Sequence, residues 1–122
     1  MEKYIDVMKQ TTMLQETVYE GLQHIQALLK EGKFEETIAL FSETVQAFSS
    51  IEKAVIGLPD DILTEESKSL TTEVRDAFKI VVSSCELKEY GKVQEVLQFT
   101  LTPRFQRWME ELNKAFMPYL VS

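Results

Sequence analysis

One cysteine, one histidine, four glycines and three prolines are spread over 122 residues, and each scarcity excludes something. With Cys85 alone, no intrachain disulfide and no cysteine-based zinc set can form. Its apolar neighbours Ile80, Val81, Val82 and Leu87 suggest a small buried hydrophobe. With His24 alone, and no glutamate three residues before it, the paired Glu-x-x-His site of carboxylate-bridged metal bundles is excluded. A Cys85–His24 nucleophile pair would need two distant helices to meet without a third orienting group. Few glycines and prolines leave too few turns for an all-β fold. No glycine pattern of the kind that cradles phosphate is present. No apolar run approaches the ~20 residues of a membrane helix. The first residues, Met1 to Asp6, lack the apolar stretch of a signal peptide, so a cytoplasmic location is expected.

What is abundant is acid. The net charge is −7, from 20 acidic and 13 basic side chains. An acidic surface repels phosphate backbones and anionic lipid, so neither nucleic acid nor membrane is an expected partner. The basic residues Lys88, Lys92, Arg104, Arg107 and Lys114 gather toward the C-terminus and read as a solvated face. The carboxylate pairs Glu35-Glu36, Asp60-Asp61, Glu65-Glu66 and Glu110-Glu111 are adjacent in sequence. Neighbours on a helix point in different directions and do not converge on a substrate.

Periodicity predicts four helices in one domain spanning residues 1–122. The first, about Lys3 to Lys30, carries Ile5, Met8, Leu14, Val18, Leu22, Ile25 and Leu29 at helical spacing. Gly32 ends it. The second, about Phe34 to Ile56, carries Phe34, Ile38, Phe41, Val45, Phe48 and Val55 in a near-heptad seam, and Gly57 and Pro59 stop it. The third starts at a Thr64 cap and carries Leu70, Val74, Ala77 or Phe78, Val81 and Cys85 as far as a turn near Gly91. The fourth, about Lys92 to Phe116, places Val93, Val96, Leu97, Leu101, Phe105, Trp108, Met109 and Leu112 inward, with a kink expected at Pro103. Short connections make neighbours antiparallel, so the fold class is all-α, an antiparallel up-down four-helix bundle with the last helix kinked near Pro103. Pro118 should stop that helix at or before Met117. The apolar tail Phe116, Met117, Tyr119, Leu120 and Val121 should then dock, on its own bundle or on a second copy. Leu29 to Glu36 and Leu87 to Glu95 match with one inserted residue, a faint internal repeat.

The segment Leu28 to Phe41 resembles the turn and second helix of a tetratricopeptide unit. However, Ile25 stands where that family has a small residue, and no 34-residue period continues. The ending Val96 to Leu112, with Leu101, Pro103 and Trp108, resembles that of a family of short uncharacterised bacterial helical proteins; that resemblance implies no activity. In layout alone, a short acidic four-helix chain with an apolar last helix is similar to flagellar and type III export chaperones.

These features lead to the expectation of a non-enzymatic protein-interaction module, chaperone- or adaptor-like, with no cofactor. A protein partner or a homodimer through one bundle face would meet Phe99, Phe116, Met117, Tyr119 and Leu120, since aromatic residues and methionine are enriched at binding surfaces. The alternative is a small-ligand- or metal-binding bundle, which requires polar groups converging inside the core. Metal should be without effect on stability. A reproducible rise in melting temperature with zinc, manganese or iron at micromolar concentration would contradict that expectation.

Overall fold

The computed structural model describes residues 2–120, and these are helical throughout apart from three connections, with no strand. The helices are α1 (Glu2–Lys30), α2 (Phe34–Ile56), α3 (Glu65–Glu86), α4 (Tyr90–Val96) and α5 (Thr102–Leu120), and a π-helical turn (Leu97–Leu101) joins the last two into one run. Phe34 stacks on Tyr90 at 4.3 Å, which places the starts of α2 and α4 at one end. At the other end Tyr119 reaches the Asp61 carbonyl at 3.5 Å. Successive helices therefore run antiparallel, with α1 and α3 at opposite corners. The connection between α2 and α3 plugs the second end with buried Leu58, Ile62 and Leu63. Thr64 caps α3 as expected, accepting from the Ser67 N–H at 3.1 Å.

The core lines are more regular, and more polar, than the apolar residues suggest. In α1 the buried residues are Met8, Thr11, Gln15, Val18, Leu22, Ile25 and Leu29, with Leu28 beside them. Their three- and four-residue steps form a heptad in which Gln15 takes the place expected of Leu14, which is exposed. In α2 the line is Thr37, Phe41, Thr44, Phe48, Ile51 and Val55. The expected Phe34, Ile38 and Val45 lie to one side of it. Threonine is admitted because its hydroxyl bonds the carbonyl four residues back, as Thr37 does to Lys33 (2.8 Å) and Thr44 to Leu40 (2.9 Å).

The two helical hairpins repeat one design. Gly32, at φ 76°, ends α1, and the Lys33 N–H bonds the Leu28 carbonyl. Lys88, at φ 59°, ends α3, and the Glu89 N–H bonds the Ser84 carbonyl. Both are the same left-handed helix stop. The residues that follow, Lys33 and Glu89, share one backbone conformation (φ −89°, ψ 70° and φ −88°, ψ 69°). The turn therefore falls at Lys88, and Gly91, where sequence placed it, lies inside α4. Thr37 and Phe41 correspond to Val93 and Leu97, and Phe48, Ile51 and Val55 to Phe105, Trp108 and Leu112. The second set falls one residue late, and that residue is absorbed in the π turn. Val93, Leu97, Leu101 and Phe105 follow at steps of four, each of which advances the stripe by roughly 40° on an α-helix. The wider turn, with the Thr102 N–H bonded to the Leu97 carbonyl, helps keep them on one face. Pro103 follows it directly, so the irregularity expected there takes the form of a π turn within an unbroken run.

The expected stop before Pro118 does not occur; α5 continues to Leu120. In the last turn proline costs the single bond to the carbonyl of Lys114, an exposed residue whose oxygen water can serve. Continuing lets Tyr119 and Leu120 pack on the core. Val121 lies outside the described residues.

Two changes test the core. Phe41→Ala should lower the stability read from urea unfolding by about 3–5 kcal/mol. Gln15 is fully buried, and neither amide atom finds a partner in the protein. Gln15→Leu should therefore raise stability by about 1–3 kcal/mol. A fall would show that the amide is satisfied in solution by a group the bundle does not supply.

Candidate functional site

The five residues expected to meet a partner do not form one surface. Phe99 is 69% exposed on the π turn and Met117 58% exposed in the last turn of α5. Eighteen residues separate them, which puts them roughly 25 Å apart along the run. Phe116, expected at such a surface, is instead fully buried, the last member of the core line through Phe105, Trp108 and Leu112. Tyr119 and Leu120 are half-buried against their own core. Among the described residues no group of three or more His, Cys, Asp or Glu could hold a metal. His24 is exposed on α1.

A different feature stands out once the four seams between helices are compared. The α1–α2 seam closes tightly: a Cβ added at Gly21 would sit 3.3 Å from the Thr44 hydroxyl. The α3–α5 seam closes around Trp108, whose indole N–H donates to Thr71 at 2.9 Å. The α1–α5 seam closes through Tyr19 stacked on Phe105 at 6.5 Å and through Thr102 donating to Gln26 at 3.0 Å. The α2–α3 seam stays open. It carries hollows of about 490 and 300 Å³ that share Val45, Val82 and Glu86, and a smaller one of about 140 Å³ toward Leu63.

Under the repeat of the two hairpins, the open α2–α3 seam is the counterpart of the closed α1–α5 seam. Val45 and Val82 stand where Thr102 and Gln26 form their hydrogen bond, and Arg75 stands where Tyr19 fills the space with a ring. Short side chains leave room in it: Ser42, Ser49 and Ser83 line it together with Val45, Val82 and Cys85, while the longer Gln46, Lys79 and Glu86 stand at its edges. Its floor is aromatic, with Phe78 packed on Phe48 at 4.6 Å and on Phe41 at 5.8 Å. One polar strap crosses it, where Arg75 donates to the Glu52 carboxylate at 3.2 Å. The buried Nε of Arg75 has no acceptor within the protein. Ile38, 43% exposed, forms part of one wall.

Cys85, half-buried on the opposite wall formed by α3, has its thiol pKa raised above the ordinary value, chiefly by burial and then by the Glu86 carboxylate. It is a poor nucleophile near neutral pH. From Ile38 to Glu52 the groove is roughly 21 Å long, about four helical turns. An apolar floor of that length between polar rims matches the shape of an amphipathic helix. The signal in the sequence was a surplus: α2 carries Ile38 and Val45 beside a core line that does not need them.

The family described as a domain of unknown function, DUF8042, matches residues 6–111, a range that holds every residue of the groove as well as Pro103 and Trp108. No curated protein and no solved structure matches the chain. Among the described residues no helix is long and apolar enough to cross a membrane. The matched range covers most of the chain and nearly the whole bundle, and the chain belongs to the DUF8042 family.

Proposed function

We propose that this bundle is a non-enzymatic interaction module that receives a helical segment of another protein in the α2–α3 groove, in the manner of an adaptor or a chaperone. The observation that carries this reading is the contrast between two equivalent seams, one closed by Tyr19, Gln26 and Thr102 and the other left open with an apolar floor. Burying Ile38, Val45 and Val82 under a partner would recover apolar surface that the folded monomer leaves wet. A small ligand would find volume enough here. The groove's polar lining, Ser49, Glu52, Arg75, Lys79, Ser83 and Glu86, forms the rim, whereas the floor of Phe41, Phe48 and Phe78 offers no polar group to orient such a molecule.

Cys85 provides the test, since it is the chain's single thiol and lies in the groove. Its raised pKa makes alkylation of the free protein slower at neutral pH than that of an unperturbed thiol, with the rate rising as the pH climbs. An amphipathic helical peptide with a glutamine-rich polar face should slow alkylation severalfold at fixed pH. Val45→Trp, which fills the groove, should slow it without peptide. If no such peptide changes the rate even at millimolar concentration, the interaction reading fails.

A further inference from the structure

The net charge of this chain arises in the segment that forms the groove. Residues 34–86, from α2 through the connection to α3, carry eleven acidic and four basic side chains, a net charge of −7. The other residues carry nine of each and are neutral overall. Within the groove the ions cancel: Glu52 pairs with Arg75, and Lys79 is balanced by Glu86. The excess sits on the exposed faces of the two helices, at Glu35, Glu36, Glu43, Glu66 and Asp76, and in the connection at Asp61, while Asp60 and Glu65 share Lys68 at 3.0 and 3.4 Å. An occupant thus meets an apolar floor, a neutral rim and a negative field around them.

Resting on the groove reading above, we infer that the occupant is a cationic amphipathic helix of another protein, with an apolar stripe on the floor and lysine or arginine on its flanks. A second copy meeting this face groove to groove is disfavoured, because that would bring together two segments of net charge −7. The field adds steering and selectivity; the floor supplies contact. Lysine and arginine also suit the site by their length, since a stem can lie along Ile38 while the charged end reaches Glu35, its neighbour three residues earlier on α2.

The test uses the full chain and three synthetic peptides of about 18 residues, enough to span the groove. They share one stripe of leucine and phenylalanine and carry a polar face of lysine, glutamine or glutamate. Anisotropy of the labelled peptides gives affinity, and Cys85 alkylation reports whether the groove is the place occupied. The lysine peptide should bind at least tenfold tighter than the glutamate peptide at low salt, with the gap closing as the Debye length falls to ~3 Å near 1 M salt. Glu35→Lys with Asp76→Lys, both on exposed faces, should shrink the gap severalfold while leaving the glutamine peptide unaffected. Equal affinity of all three peptides, each protecting Cys85, would overturn the charge inference and leave the groove reading standing. A lysine peptide that binds without protecting Cys85, and binds Val45→Trp equally well, is attracted to the acidic surface at large, and the proposal falls.

Discussion

Trp108 is the group on which the four helices depend. Its ring is fully buried, meets Phe48 of α2 edge-on at 5.5 Å and Phe105 of α5 at 5.2 Å, and its N–H donates to Thr71 of α3. Through Phe105 it reaches Tyr19 of α1. Thr71 serves twice, donating its hydroxyl to the Ser67 carbonyl at 2.8 Å while accepting from the indole. A buried indole needs such an acceptor, and a buried hydroxyl in a helix has a carbonyl within reach, so each satisfies what the other lacks. In the first hairpin the corresponding positions are Ile51 and Gln15. Isoleucine has no N–H to offer, and the Gln15 amide is left without a partner in the protein. The same design is completed on one side of the bundle and left incomplete on the other.

The open seam follows from the same asymmetry. A bundle of four helices closes all its seams only if the side chains beside the core lines are large enough to bridge them. Tyr19, Gln26 and Thr102 do so between α1 and α5. Between α2 and α3 the Arg75–Glu52 pair bridges one point, and short serine, valine and cysteine side chains flank it, with Gly21 allowing α2 to settle close to α1. The floor remains intact because Phe41, Phe48 and Phe78 pack on one another below the gap. The groove therefore belongs to a finished core and does not mark a packing failure.

The π turn shows how the bundle accommodates one extra residue. It leaves the core faces before and after it in register, and it displaces Phe99 outward. Pro103, which has no N–H to donate, follows where the ladder is already interrupted. Phe99 and Met117 remain exposed apolar side chains on the last helical run, each isolated from the other. Single exposed hydrophobes of that kind are common on folded proteins.

The sequence alone determined the class, the number of helices and most of their ends, because these rest on local signals: apolar periodicity, the Thr64 cap, Gly32 and the Gly57–Pro59 stop. It misplaced Leu14, Ile38, Val45 and Gly91, and it hid Thr11, Gln15, Thr37 and Thr44 in the core. Apolar periodicity does not mark these positions; Thr37 and Thr44 bury their hydroxyls against their own helix's carbonyls, whereas Thr11 and Gln15 are buried without a partner in the protein. The tail was misread for a related reason: a rule about proline is local, and the packing of Tyr119 and Leu120 on the core that overrides it is not. The repeat was visible only as an approximate match, since the left-handed stop is served by glycine in one hairpin and lysine in the other. Which seam would stay open was decided by tertiary structure alone. It depends on how far apart two helices stand when their neighbours are satisfied, and no property of Ser42, Val45 or Val82 taken singly contains that distance.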